Sequence, residues 1–129
     1  MPQAFIAGTG GYLPAERLSN DALAARYNLE TSDEWIRERT GIHFRHIAAP
    51  DQTASDMGAA ACREALAQAG VDAAEVDAVI VATTTPDSAF PSTAARIQAA
   101  IGAGPGLAFD LSAACTGFVY ALGTAESLI

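Results

Sequence analysis

Residues Val76–Thr85 read VDAVIVATTT, and residues Leu107–Leu111 read LAFDL. The first run is nearly all β-branched or small, and a continuous run of that kind suits a strand covered on both faces, as in a parallel sheet. Pro86 ends it, Ser92 is placed to cap a helix running to about Ile101, and Gly102–Gly106 breaks the chain before the second strand. From Cys115 onward the pattern is helical again. Strand, helix, strand, helix over residues 76–129 predicts a right-handed βαβ crossover and an α/β fold.

Upstream, the punctuation is equally readable. Ala4–Thr9, AFIAGT, reads as a short strand closed by Gly10, Gly11 and Pro14. Ser19 or Asn20 caps a helix to about Tyr27. Thr31-Ser32-Asp33-Glu34 matches a capping box with Glu34 at its third helical position, opening DEWIRERT, which stops at Gly41. IHFRHI suits a brief extended piece. Thr53 and Asp56 repeat the capping spacing and open a helix to Ala69, with Gly70 at the position after its end.

The chain has 129 residues, half of them apolar, a length and composition for one globular domain with a modest core. A net charge of −8 argues against nucleic acid as a principal ligand. No run is long enough to span a bilayer, and the first residues lack a basic lead and an apolar core, so a cytoplasmic setting is expected. All seven cationic side chains are arginine, which excludes a Schiff-base lysine and a Walker-type phosphate loop within these residues. Two cysteines make no disulfide framework, and two histidines without a third nearby ligand make a poor metal site. No metal is expected.

Cys115 follows the carboxyl end of a strand and precedes a helix, in AFDLSAACTGFVYALG. Free cysteine is often a small buried hydrophobe. Three features oppose that reading. Open α/β sheets place ligands at this end, a helix N-terminus favours a thiolate, and Ser112, Ala113, Ala114 and Gly117 keep bulk away. A nucleophile of this kind needs a base, and His43 and His46, in GIHFRHI, read as solvated or structural. Cys62 sits mid-helix on an alanine-rich face and reads as core. GTGG at Gly8–Gly11 lacks the third glycine of a dinucleotide loop, since position 13 is Leu13. Trp35 and Arg39, four apart on a helix, are either a surface cation–π pair or a ring and guanidinium that grip an aromatic, phosphorylated ligand. Phe90, in TPDSAFPST, is a core plug or an interface contact.

GTGGYLP, TSDEWIRERTGI, TTTPDSAFPS and DLSAACTGFVYAL, in this order, resemble β-ketoacyl-acyl-carrier-protein synthase III over essentially the whole chain. The resemblance implies a thiolase-like fold of two similar α/β halves, with residues 1–129 as most of the first. It implies that Cys115 accepts an acetyl group from acetyl-CoA as a thioester. The carbanion formed by decarboxylation of malonyl-acyl-carrier-protein then attacks that thioester. It further implies that Trp35 stacks on the CoA adenine, that Thr31 bonds near that ring, and that Arg39 holds a CoA phosphate. Phe90 would cross a homodimer interface to line the partner's acyl pocket. The CoA thioester is a substrate, and no cofactor is implied. The family's His and Asn, with its carrier-protein docking surface, fall beyond Ile129, so these residues alone should not complete the reaction. FVYALGTAESLI stops without a helix terminator, which reads as a longer polypeptide cut within a helix. A relative making quinolones, polyketides or other secondary products, and a non-catalytic docking or dimerisation fragment, are the alternatives. A thiol redox protein is disfavoured, because Cys115 has no resolving cysteine nearby.

Overall fold

The computed structural model describes residues 4–129, which divide into two compact units: residues 13–52, and the residues up to Tyr12 together with Thr53–Ile129.

The larger unit holds the predicted βαβ. Strand β3 (Ala78–Ala82) lies parallel to β4 (Leu107–Leu111), in register from Ala78 opposite Leu107 to Ala82 opposite Leu111. The crossover is helix α4 (Thr93–Ile101), capped by the Ser92 hydroxyl on the Ala95 amide and ended by Gly102 at φ 77°. Side chains alternate across the strands. Val79 and Val81 turn to the face where Ala94 and Ile97 of α4 and Cys62 of helix α3 (Ala54–Ala69) close the core. Ala82, out of phase with them, meets helix α5 (Gly117–Leu128), where a Cβ on Gly117 would stand 3.1 Å from the Ala82 Cβ. The unit is therefore layered helix, sheet, helix. Helix α3 carries the predicted capping box, with Thr53 accepting from the Asp56 amide and Asp56 accepting from the Thr53 amide, and it ends at Gly70. Gly58 lets α3 close on α4, since a Cβ there would lie 2.5 Å from Ile97 Cδ1.

In the smaller unit, β1 (Glu16–Ser19) pairs antiparallel with β2 (Phe44–Ile47), and helices α1 (Asn20–Tyr27) and α2 (Asp33–Thr40) lie between them in sequence. Ser19 caps α1, and Gly41, at φ 69°, ends α2.

Four sequence readings are corrected. Ala4–Thr9 is not a strand: the described segment from Ala4 pairs with no strand and lies along α3. There the Thr9 amide donates to Gln68 Oε1 at 2.5 Å and the Gly11 amide to Glu64 Oε2 at 2.8 Å. Gly8 and Gly10 permit that approach, because a side chain on either would run into the α3 backbone. The box at Thr31–Glu34 does not form, since Ser32 is the cap and its hydroxyl accepts from the Trp35 amide at 3.1 Å. The β3 ladder covers Ala78–Ala82 rather than Val76–Thr85, and Glu16–Ser19 forms a strand that the sequence does not announce.

Candidate functional site

Cys115 stands where the sequence places it, beyond the carboxyl end of a parallel strand, but two residues ahead of the α-helix rather than at its first position. A single 3-10 turn, Ala114–Thr116, intervenes. Ala114 has φ 44°, a left-handed conformation that a non-glycine residue adopts at a cost of about 1–3 kcal/mol, and such residues concentrate at functional sites. At this turn Cys115 is exposed. No side chain caps α5. The Thr116 hydroxyl, nearest to doing so, donates instead to the Ala113 carbonyl at 2.8 Å. The turn is closed by backbone bonds instead, from the Thr116 amide to the Ala113 carbonyl at 3.0 Å and from the Gly117 amide, the first of α5, to the Ala114 carbonyl.

Cys115 borders an apolar groove of about 1150 Å³ that also takes in Ala82, Ala114, Phe118, Leu122 and Cys62. None of its lining side chains is a histidine or an asparagine. The two thiols differ in setting. Cys62 is half-buried, and desolvation pushes its pKa up against a weaker opposing pull from Arg63. This matches its reading as a packing residue.

The turn is fastened from below. Asp110, the lone charge in β4, accepts from the Thr93 and Ala94 amides at 2.8 Å each, so strand β4 is tied to the head of α4. The buried Thr93 hydroxyl accepts from the Asp87 amide at 3.2 Å, and the Asp87 carboxylate accepts from the Ser55 amide at 3.1 Å, at the head of α3. The loop between β3 and α4 is thereby held at its base while Phe90, 88% exposed, stands off it. Phe90 thus plugs no core among the described residues. The Asp110 relay escaped the sequence reading, although a single carboxylate inside LAFDL was its signal.

In the smaller unit the structure brings Trp35 and Arg39 together. The Arg39 guanidinium lies 4.4 Å from the Trp35 ring centroid, and its Nη1 donates to the Trp35 carbonyl at 3.4 Å. The ring is 52% exposed, with Glu38 the nearest counter-charge to Arg39 at 3.8 Å. Thr31 precedes the helix cap, and its Oγ1 is buried with no hydrogen-bond partner. An unpartnered buried hydroxyl costs about 1–3 kcal/mol. The histidines take structural roles: His46 Nδ1–H donates to the Pro14 carbonyl at 2.5 Å, and the His43 ring stacks on Phe44. Among the described residues no cluster of side chains suits a metal, and no helix is long and apolar enough to cross a membrane.

No family model matches the chain. It is 56% identical over 130 residues to the β-ketoacyl-acyl-carrier-protein synthase III of Rhodospirillum rubrum, covering all of this chain and 40% of that protein. The crystal structure of the synthase III of Pseudomonas aeruginosa superposes with a TM-score of 0.87 at 51% identity, over 99% of this chain and 39% of that one. The priming β-ketosynthase of a polyketide biosynthetic pathway gives a TM-score of 0.85 at 42% identity, over 98% and 38% respectively. The chain thus spans about two-fifths of the length of the proteins it matches. In sequence and in its thiolase-type α/β fold, this chain resembles the N-terminal portion of β-ketoacyl-acyl-carrier-protein synthase III.

Proposed function

We propose that the protein carrying this chain is an acyltransferase that begins fatty acid synthesis by decarboxylative condensation. Cys115 is its nucleophile. The thiolate attacks the carbonyl of acetyl-CoA or another short acyl-CoA, the S–C bond to CoA breaks, and CoA leaves as its thiolate to be protonated. Malonyl-acyl-carrier-protein then loses carbon dioxide, and the resulting carbanion attacks the Cys115 thioester, returning the free thiol. The observation that carries the reading is the exposed Cys115 on its left-handed turn, at the uncapped head of α5 and the rim of an apolar groove. Similarity to a synthase III along the whole of this chain supports it.

In this reading Trp35 stacks on the adenine, Arg39 holds a phosphate, and the unpartnered Thr31 hydroxyl bonds the nucleotide. Phe90 belongs to a homodimer interface beside the partner's acyl pocket. The His and Asn of the triad, one oxyanion donor and the carrier-protein docking surface lie in residues other than these 129, and the enzyme works in the cytoplasm. A second reading, in which the starter unit feeds a polyketide, is favoured by the likeness to the priming β-ketosynthase.

Incubation of the intact protein with acetyl-CoA, followed by mass spectrometry, tests the proposal: one acetyl group is expected, lost in Cys115→Ser. An adduct that persists in that variant at another residue contradicts it. Supplying a panel of acyl-CoAs to the carrier-protein reaction separates the two readings by the starter accepted.

A further inference from the structure

Helix α2, which carries Trp35 and Arg39, has eight residues. A helix of that length is not stable by itself in water, and only Ile36, 6% exposed, is buried along it. One aliphatic side chain fixes depth but leaves the helix free to roll and tilt. Something else must set its direction.

Asn20, at the head of α1, is 1% exposed. Its Nδ2 donates to Asp33 Oδ1 at 2.9 Å, on the first residue of α2, and to the Ile42 carbonyl at 2.7 Å, just past the Gly41 that ends α2. Its Oδ1 accepts from Arg45 Nη1 at 3.1 Å, on β2. One amide thus spends both donors on the two ends of the same helix and its acceptor on the neighbouring strand. A serine or aspartate could cap only one end. Leucine could reach both without bonding either.

We propose that Asn20 is a positioning residue that ties both ends of α2 to β2 and thereby sets the pose of the Trp35–Arg39 pair toward its ligand. The inference rests on the reading of that pair as the nucleotide grip. Asn20 itself touches no ligand in this scheme. The geometry matters because a displacement of about 1 Å in a positioned group is enough to cost one to two orders of magnitude in what it does.

The test uses the intact protein with Asn20→Asp, which keeps the acceptor for Arg45 but sets a carboxylate against Asp33 and the Ile42 carbonyl, and Asn20→Leu, which removes all three bonds. CoA affinity is measured by calorimetry, and amide hydrogen exchange is followed by peptide, with Trp35→Ala run beside them. Both Asn20 variants should weaken CoA binding about tenfold. Exchange should quicken at Asp33–Trp35 and Thr40–Ile42, and protection in α3 to α5 should stay as in the parent. The acyl-CoA concentration for half-maximal labelling of Cys115 should rise more than the limiting rate falls. Parent-like affinity in both variants, while Trp35→Ala binds CoA weakly, would overturn the role of Asn20. If Trp35→Ala also binds like the parent, the nucleotide reading fails instead. Exchange at the two ends of α2 then decides for Asn20, with unchanged exchange counting against it. Loss of protection throughout residues 13–52 in both variants would make Asn20 a residue of the general fold and would likewise overturn the proposal.

Discussion

The chemistry of this chain turns on few side chains, and their surroundings separate like from like. Cys62 and Cys115 border one groove, yet burial raises the pKa of Cys62 while Cys115 meets solvent. Iodoacetamide at mildly alkaline pH should therefore modify Cys115 first, with peptide mapping showing Cys62 slow until the protein unfolds. The raised Cys62 value favours the neutral thiol in the folded state. Its contribution to stability is full below the unfolded thiol pKa and is lost as pH climbs through the folded value. Asp33 runs the other way: the Asn20 bond, then Arg37, lowers its pKa. The stabilisation from Asp33 is present above the ordinary carboxylate value and fades as pH falls through the lowered one. Carbon-detected titration should show Asp33 protonating below its ordinary value and moving back up in Asn20→Leu. At the proposed ligand grip, Trp35→Ala and Arg39→Ala should each weaken CoA binding by about 1–3 kcal/mol in calorimetry, through lost stacking or lost charge-assisted bonds. Unchanged binding in both would leave the pair as a surface cation–π contact.

At the scale of elements, punctuation was the legible part. The caps at Ser19, Thr53 and Ser92, and the ends at Gly41, Gly70 and Gly102, stand where residue type places them, because a cap needs only its own turn. Strands were harder. A strand exists by virtue of a partner, so AFIAGT, apolar and small, has the composition of a strand without a ladder, while ERLS, half charged, pairs with FRHI. The left-handed Ala114 was invisible, since alanine carries no mark of positive φ. Capping of α4 by a distant carboxylate was equally hidden, because Asp110 lies 17 residues from Thr93. Its removal is correspondingly informative. Asp110→Ala leaves two helix amides without acceptors and should lower stability by about 2 kcal/mol, measured by urea unfolding. Gly10→Ala should detach the N-terminal segment from α3, because its Cβ would meet backbone that cannot yield. Faster amide exchange at Thr9 and Gly11 would report it.

Across the whole chain the apolar surface is unevenly placed. Phe118, Val119 and Tyr120 on α5 are exposed together, as are Phe5 and Ile6 beside α3. Patches of this kind mark faces that meet other protein. The 129-residue chain by itself should bind a hydrophobic dye and self-associate in light scattering, and a cooperatively melting monomer without dye binding would contradict this. Another exposed aromatic, Trp35, has a different consequence. It is the only tryptophan in the sequence, its ring is half open to water, and a guanidinium lies over one face. Excitation of indole alone therefore interrogates a single position in 129, and the emission of this chain is the emission of its candidate ligand grip. A nucleotide that stacked there would quench or shift that light in proportion to occupancy, so these 129 residues carry their own optical titrant.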